Sequence, residues 1–253
     1  MPDDWHPAVA IVQTRMTSSR LPGKVMRPLA GAPLIRRMIE RVQRIAGLDR
    51  VVVALAEGAA HDPVIAALDG LDVTIVRGSE DDVLARYAVA ARETDATTVM
   101  RVTSDCPLLD PEVSSTVLRA YIDARPSGIR YARTSANSGY PHGFDTEVFD
   151  VAALFEAEAN ASGRFDREHV TPYIRNRPET FPAVIIDSKP DRRDWRITVD
   201  TEADYRLTCA IYDALYPRNP HFGYADIVAL FEARPDLRAL AEQTSAPVHA
   251  ATR

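Results

Sequence analysis

Short apolar runs alternate with amphipathic segments along the first two-thirds of the chain. The run at 8–12 holds five apolar residues in succession, which is typical of a strand buried on both faces of a sheet. The segment 33–46 instead repeats apolar residues at helical spacing, and Pro33 suits the first turn of a helix. Asp62 is expected to cap a helix, and the acids 80–82 to fill the first turn of another. The pattern predicts strands at 8–12, 51–55, 73–76 and 98–102, a helix over 33–46, and helices that begin at Asp62, Ser79 and Asp110.

The pattern loosens after residue 128. A polar stretch at 134–143 predicts a loop, and an amphipathic stretch at 201–216 predicts a helix. From Tyr224 onward we expect two short helices and a tail. Strands in this part of the chain are predicted at 129–133, 145–151, 181–187 and 195–199.

Strands that are apolar along their whole length and separated by helices favour an α/β fold with a mostly parallel sheet flanked by helices. Neither an internal repeat nor an obvious linker interrupts the sequence, so we expect a single domain over 1–253. Ligands of such sheets bind beyond the carboxyl ends of the strands. Candidate chemistry is therefore sought just after Val12, Val76 and Val102.

Composition and charge narrow the function classes. Hydrophobic residues make up 46% of the 253 residues and charged residues 26%, as in ordinary globular proteins. No apolar run approaches the roughly 20 residues of a membrane span, and the first residues lack the features of a signal peptide. We therefore expect a cytoplasmic protein with no membrane partner. The net charge of −6 argues against a nucleic-acid partner, and Cys106 and Cys209 lack disulfide or zinc spacing.

The polar segment 13–24 follows the first predicted strand directly. It combines hydroxyl residues, two arginines, a Pro-Gly turn and Lys24, which is one of only two lysines in the chain. A polyphosphate needs such hydroxyl groups, backbone N–H groups and cations to converge on one point. The segment does not match the P-loop pattern, and a solvated polar loop is the alternative. Its polar surroundings predict that the Lys24 side chain lies outside the core.

Residues 15–24 resemble the R-x-x-S-x-R-L-P-G-K signature of sugar cytidylyltransferases. The likeness is strongest to the spore-coat polysaccharide cytidylyltransferase family, which is related to the acylneuraminate and 3-deoxy-manno-octulosonate cytidylyltransferases. Segments similar to this family also occur at 77–84, 105–108, 166–173 and 195–201. The resemblance implies a Rossmann-like GT-A nucleotidyltransferase fold, with a nucleotide-binding half at about 8–128, an acceptor-binding half at about 129–216, and C-terminal helices and a tail at 217–253.

The implied reaction joins CTP to a sugar or sugar acid and gives a CMP-linked product and pyrophosphate, as a step in polysaccharide or glycoconjugate biosynthesis. The resemblance implies loop residues around the triphosphate, and Arg77 is a candidate for the base or the phosphates. A homodimer is left open. The expected nucleotide-binding residues are Gln13, Arg15, Ser18, Arg20, Lys24 and Arg77, and the expected catalytic residues are Arg15, Lys24 and Asp105.

Two aspartates follow predicted strands in distant parts of the chain. From spacing alone, Asp105 fits a turn before Pro107. The helix after Asp200 fits an N-cap at Asp200 or Thr201, with Asp204 completing a capping box. Mg²⁺ takes one or two carboxylates together with water and phosphate oxygens. The resemblance implies that Asp105 and Asp200 are metal ligands, with Mg²⁺ as the cofactor.

Two polar clusters in the second half are candidates for binding the sugar. Residues 140–147 combine aromatic rings, a histidine and two acids in a turn bounded by Pro and Gly, which offers ring stacking and hydrogen bonds to hydroxyls. Residues 166–169 add a second charged cluster. Similar proteins line the acceptor pocket with both segments, and structural histidines are the alternative. The expected acceptor-binding residues are Tyr140, His142, Asp145, Glu147, Arg167, Glu168 and His169.

Two other functions are kept beside this one. A glycosyltransferase on the same fold uses a premade nucleotide sugar and does not need a lysine-bearing triphosphate loop. A non-catalytic nucleotide-binding module is favoured by departures from the family pattern at Thr14, Thr17 and Ser104. The presence of both Lys24 and Asp105 argues against such a module.

Overall fold

In this computed structural model, which describes residues 4–134 and 138–243, nine short strands and ten helices follow one another along the chain. The strands are β1 (Ala8–Thr14), β2 (Pro28–Leu29), β3 (Ala32–Pro33), β4 (Arg50–Ala56), β5 (Thr74–Gly78), β6 (Thr98–Thr103), β7 (Tyr131–Arg133), β8 (Glu147–Asp150) and β9 (Ala183–Ile185). The helices are α1 (Leu34–Val42), α2 (Asp62–Ala67), α3 (Val83–Glu93), α4 (Pro111–Ala124), α5 (Val151–Asn160), α6 (Arg164–His169), α7 (Pro172–Arg175), α8 (Glu202–Leu215), α9 (Tyr224–Ala233) and α10 (Pro235–Gln243).

Seven of the described strands form one sheet in the order β5-β4-β1-β6-β8-β7-β9. The strands β5, β4, β1 and β6 run parallel, β8 is antiparallel to both of its neighbours, and β9 is parallel to β7. The prediction of a mostly parallel sheet flanked by helices is confirmed. Because β1 and β6 are adjacent and parallel, with Gln13 paired to Thr103, the loops that follow them leave the sheet side by side.

Alternate residues of β1 point to opposite faces of the sheet, and each face has its own apolar core. Ala10 and Val12 pack with residues of α1 and α4, whereas Val9 and Ile11 pack with residues of α3 and α5. A third cluster joins α8, α9 and α10 to the segment 195–199. Removal of this apolar surface from water, at about 25 cal/mol per Å², is the main force that holds the helices to the sheet.

The segment 195–199 is not the strand that its apolar residues predict. Those residues are buried, but within the described chain the segment forms one isolated bridge, between Arg196 and His142, and lies outside the sheet. The Arg196 N–H donates to the carbonyl oxygen of Ala241 in α10 (3.0 Å). The C-terminal helices bury this segment. Its run of apolar residues therefore reflects packing against helices and not a position in the sheet.

The predicted helices are present, but several ends differ. α1 ends at Val42, four residues earlier than the periodicity suggests. α2 begins at Asp62 itself, and His61 occupies the cap position. α3 begins at Val83, so the acids 80–82 precede this helix instead of forming its first turn. The short hairpin of β2 and β3 was not predicted, because two residues per strand are too few to show alternation.

The two helices expected after Tyr224 are α9 and α10. The tail beyond residue 243 and positions 135–137 of the predicted loop lie outside the described residues. Over 4–134 and 138–243, the structure has no helix that is both long and apolar enough to cross a membrane.

Candidate active site

A cleft of about 310 Å³ opens at the carboxyl ends of β1 and β6, where the sheet topology predicts a ligand. The loops after both strands line it, together with parts of α3 and α6 and the residue that precedes the cap of α8. Nine residues expected from the sequence line this cleft: Gln13, Arg15, Ser18, Arg20, Lys24, Asp105, Glu168, His169 and Asp200.

The candidate phosphate loop after β1 is shaped by backbone hydrogen bonds. The Gly23 N–H donates to the Met16 carbonyl oxygen (2.8 Å), and the Lys24 N–H donates to the Leu21 carbonyl oxygen (3.2 Å). The segment therefore turns back on itself. Gly23 has a φ of 67°, in the left-handed region that glycine adopts without strain. This turn brings the Lys24 side chain into the cleft.

Lys24 lies among the candidate acids and is buried, so the prediction of a side chain outside the core is wrong. Its Nζ donates to the Val199 carbonyl oxygen (2.7 Å), to Asp200 Oδ1 (3.0 Å) and to Asp105 Oδ2 (3.3 Å). These bonds use all three hydrogens of the ammonium group. Burial lowers the pKa of Lys24, but the two aspartates outweigh burial and raise it, so the group is charged at neutral pH.

Asp200 contacts cations through both carboxylate oxygens. Arg20 Nη2 lies 2.9 Å from Oδ1, and Arg196 donates to Oδ2. The capping alternative does not apply to Asp200, because Thr201 is the N-cap of α8 and forms the capping box with Asp204. The Asp200 side chain therefore faces the cleft instead of closing the helix.

The Asp105 carboxylate is tied to the same lysine. Burial raises the pKa of Asp105, but the charge of Lys24 and hydrogen bonds from Thr103 and Lys24 outweigh it and lower the pKa to about 2. The carbonyl oxygen of Asp105 accepts from the Val199 N–H (2.7 Å), which holds the two aspartate-bearing segments together. A backbone bond from the Cys106 N–H to Thr103 (3.2 Å) closes the turn, so the Asp105 side chain is available to the lysine.

The two aspartates form a donor set that fits a hard divalent cation. Each brings a carboxylate oxygen within 3.3 Å of Lys24 Nζ. In the part of the chain that the structure describes, no group of three or more His, Cys, Asp or Glu side chains could hold a metal. Mg²⁺ nevertheless fits Asp105 and Asp200, because it takes its remaining ligands from water and substrate phosphate.

Of the two histidines expected to bind the acceptor, His169 lines the cleft, whereas His142 and its partner Asp145 do not. His142 Nδ1 is 2.9 Å from Asp145 Oδ2. Burial lowers the pKa of His142, but the hydrogen bond and charge of Asp145 outweigh it, with a smaller contribution from Asp105, and raise the pKa. Glu168 and His169 line the cleft from α6, and burial lowers the pKa of His169. These residues therefore offer an imidazole paired with a carboxylate, a second carboxylate, and an imidazole whose pKa is lowered.

Arg77 and Tyr140 do not line the cleft. Arg77 donates to Asp62 and to the Gly58 carbonyl oxygen (3.1 Å), because its side chain on β5 is turned toward the loop before α2. Tyr140 packs against Tyr224, with 5.7 Å between ring centroids, and lines a separate cavity near the start of α9. The structure therefore does not bring these two residues together with the other candidates.

Arg167 and Glu147 form salt bridges next to the cleft instead of lining it. Arg167 Nε donates to both Asp82 oxygens at 3.0 Å, which fastens α6 to the start of α3. Glu147 is buried and accepts from Arg101 (2.6 Å) and Thr171 (3.0 Å). Both residues hold elements or side chains that do line the cleft.

Seven residues that line the cleft were not among the expected site residues: Thr14, Ser19, Val83, Arg86, Arg101, Thr103 and Ser104. Arg101 has a detectable signal, since a charged residue inside an otherwise apolar strand requires a buried partner, here Glu147. Arg86 has no such signal, because this chain places arginines on many helix faces.

A mostly parallel α/β sheet whose carboxyl edge carries a cationic loop and two facing aspartates is the arrangement of a nucleotidyltransferase. Comparison with known proteins identifies the family, since a family model described as cytidylyltransferase matches residues 9–243. The chain belongs to this cytidylyltransferase family, so the resemblance noted from the motifs is confirmed. The protein is accordingly an enzyme of the nucleotidyltransferase class.

Individual relatives agree with this family. The chain is 30% identical over 234 residues to the spore coat polysaccharide biosynthesis protein SpsF of Bacillus subtilis, covering 89% of this chain and 94% of that protein. It is 33% identical over 177 residues to a 3-deoxy-manno-octulosonate cytidylyltransferase of Chlorobium luteolum, covering 67% of each. A solved cytidylyltransferase from Leptospira borgpetersenii superposes with a TM-score of 0.86 at 25% identity, covering 92% of this chain and 96% of that one.

Proposed function

We propose that this enzyme transfers CMP from CTP to a hydroxyl group of a sugar or sugar acid and releases pyrophosphate, in polysaccharide or glycoconjugate biosynthesis. The observation that carries the proposal is the contact of Lys24 with both Asp105 and Asp200, in a cleft lined by the arginines of the same loop. Family membership supports the cytidylyl donor. The octulosonate-specific relative supports a sugar acid among the acceptors.

The loop after β1 supplies the positive charge that a triphosphate needs. Arg15, Ser18 and Arg20 line the cleft with Lys24. Negative charge that develops on the leaving pyrophosphate is stabilised best by donors that are fixed beforehand. Since Lys24 already has three acceptors, it reaches a phosphate oxygen only by giving one up, and its 3.3 Å bond to Asp105 is the longest of the three. This exchange frees Asp105 for a second role.

Asp105 and Asp200 are the proposed Mg²⁺ ligands. The bound ion would neutralise phosphate charge and so favour attack at the α-phosphorus. Arg20 and Arg196 hold the Asp200 carboxylate in place, and the backbone bond from Val199 fixes Asp105 beside it. The acceptor hydroxyl then forms its bond to the α-phosphorus while the bond to pyrophosphate breaks, and the hydroxyl proton is released to water. Positioning and charge stabilisation carry most of the barrier reduction in phosphoryl transfers.

The acceptor is proposed to lie on the side of Glu168 and His169, toward the pair of His142 and Asp145. These side chains offer both donors and acceptors, as sugar hydroxyl groups require. Arg101 lines the cleft near His169 and is paired with Glu147, and its guanidinium adds donors that suit the carboxylate of a sugar acid.

Pyrophosphate release from CTP tests the proposal. The purified enzyme is incubated with CTP, Mg²⁺ and a panel of sugars and sugar acids that includes 3-deoxy-manno-octulosonate and N-acetylneuraminate. We expect release that requires both an acceptor and Mg²⁺, and an inactive Asp105→Asn variant, whereas Arg92→Met on the outer surface of α3 keeps the wild-type rate. Failure to bind CTP by calorimetry, or tighter binding of a premade nucleotide sugar than of CTP, would contradict the proposal.

A further inference from the structure

Arg86, in the first turns of α3, is a buried cation that lines the cleft. Its relative exposure is only 1%. One guanidinium nitrogen donates to the Ser79 carbonyl oxygen (2.6 Å), and Nε has no hydrogen-bond partner among the described residues. A buried charge without a partner is costly to the folded state. Such a group is therefore expected where a ligand supplies the missing acceptor.

The acids nearest to Arg86 are already engaged. Glu80 contacts Arg15 (3.8 Å), and Asp82 caps α3 and pairs with Arg167. Over the residues that the structure describes, no salt bridge reaches Arg86. The guanidinium thus keeps free donors at the wall of the cleft.

Gly78 makes room for the stem of Arg86. A Cβ atom at Gly78 would lie 3.1 Å from Arg86 Cγ and 3.3 Å from Arg86 Cβ, which is closer than ordinary contact. Gly78 ends β5 in backbone geometry that other residues also adopt, so its φ does not require glycine. The absence of a side chain at Gly78 therefore serves to seat Arg86.

Arg86 and Lys24 contact different residues of the cleft. Arg86 contacts the loop between β5 and α3, whereas Lys24 contacts Asp105 and Asp200. Gln13 lies on the sheet face that α3 covers, because it continues the two-residue spacing of the β1 residues that pack against this helix. Gln13 Oε1 is buried and, within 4–134 and 138–243, has no hydrogen-bond partner. An unpaired donor and an unpaired acceptor therefore line the same side of the cleft.

We propose that Arg86 and Gln13 recognise the nucleotide base as cytosine, an inference that rests on the proposed function. With the triphosphate on the loop that carries Lys24, the base extends toward α3. Cytosine offers two acceptors, O2 and N3, to the guanidinium and a donor, its amino group, to the Gln13 oxygen. Uracil instead turns an N3–H donor toward Arg86 and an O4 acceptor toward Gln13. A base that leaves buried polar groups of the enzyme unpaired binds much more weakly, so such a site discriminates against uracil.

Calorimetric titration with CTP and with UTP, both in Mg²⁺, tests this assignment. We expect wild-type enzyme to bind CTP at least about tenfold more tightly than UTP. Arg86→Met should weaken CTP binding by about 10- to 100-fold and leave UTP binding nearly unchanged, so that the preference disappears. Gly78→Ala keeps the guanidinium but displaces its stem, and should reduce the preference less. Arg92→Met, on the same helix but paired with Glu158 at the surface, is the matched control and should change neither affinity.

Melting temperatures show that each variant is folded before titration. We expect Arg86→Met to fold, because the substitution removes a buried charge that has no salt bridge within the described chain. If it does not fold, Gly78→Ala still tests the role of Arg86 independently. Equal weakening of CTP and UTP would overturn the proposal and assign Arg86 to the phosphates or the ribose. Unchanged CTP binding in both variants would also overturn it. A wild-type enzyme that binds CTP and UTP equally contradicts base recognition alone, whereas one that binds neither contradicts the proposed function itself.

Discussion

Replacement of Lys24 by methionine should destabilise the protein as well as inactivate it. The side chain is 10% exposed and donates three hydrogen bonds, two of them to carboxylates. A hydrogen bond to a charged group contributes about 1.5–3 kcal/mol, and the regained cost of burying the ammonium offsets part of the total. Asp200 keeps Arg20 and Arg196, but Asp105 loses its nearby lysine. A net loss of about 3 kcal/mol in the free energy of unfolding is expected.

Thermal and urea unfolding at pH 7 in EDTA measure this loss. For a chain of this size, about 3 kcal/mol corresponds to a melting temperature lower by about 6–12 °C. Lys189→Met is the matched control, because Lys189 is the only other lysine and is exposed. It should melt with the wild type.

Addition of Mg²⁺ alone sharpens the test. The ion can take the place of the missing positive charge between Asp105 and Asp200, so Lys24→Met should regain more stability from Mg²⁺ than the wild type does. A Lys24→Met variant that melts like the wild type would refute the argument that these contacts stabilise the fold. If Mg²⁺ stabilises both proteins equally, the inference that the metal takes the place of the Lys24 ammonium between Asp105 and Asp200 would be refuted.

Three further outcomes are expected. Asp105→Asn and Asp200→Asn should each lower Mg²⁺-dependent turnover by at least about 100-fold. The double variant should be little worse than either single variant, because the two acids act as one unit. A Mg²⁺ dependence of the rate that matches the wild type would contradict this expectation. Glu147→Gln leaves the partly buried Arg101 without its carboxylate and should cost about 3–5 kcal/mol of stability, measured by urea unfolding. The pKa of Asp105 is lowered from 3.8 to about 2 in the folded state, which corresponds to a contribution of about 2 kcal/mol to the free energy of unfolding. This contribution is present above the unfolded pKa and is lost as the pH falls from about 5 to 2. Acid titration of stability should therefore be shallower in Asp105→Asn than in the wild type.

The sheet could be predicted well because its central strands are continuous apolar runs. A strand that is apolar on both faces must be covered on both faces, and the buried residues of β1, β4 and β6 match the sequence pattern. The same criterion fails at 195–199, where the C-terminal helices supply the burial and the segment, within the described part of the chain, forms one isolated bridge to His142. An apolar run shows that a segment is buried, but it does not show which element covers it.

The site could be predicted from topology where residues follow strands of the parallel sheet, as the loop of Lys24 and Asp105 do, whereas Asp200 follows a segment outside the sheet and was expected from the family resemblance. Lys24, Asp105 and Asp200 meet at the edge that the topology indicates. The side chains of Arg77 and Arg86 could not be assigned in the same way. They lie nine positions apart on consecutive elements, and only the packing shows that Arg77 turns toward Asp62 while Arg86 enters the cleft.

The contacts of Lys24 favour a lysine at this position, although the chain otherwise uses arginine for nearly all of its basic residues. Its three acceptors, Val199, Asp200 and Asp105, come from two separate segments and surround one nitrogen at 2.7–3.3 Å. An ammonium group is a compact charge with three donors on one atom, whereas a guanidinium is planar and spreads its donors over three nitrogens. Arginine at this position could pair with one carboxylate in a fork but could not place a single atom between both. The compact group also exchanges one acceptor for another with little movement. This property suits the role proposed for Lys24, which would bind the acids before the nucleotide enters and the phosphates afterwards.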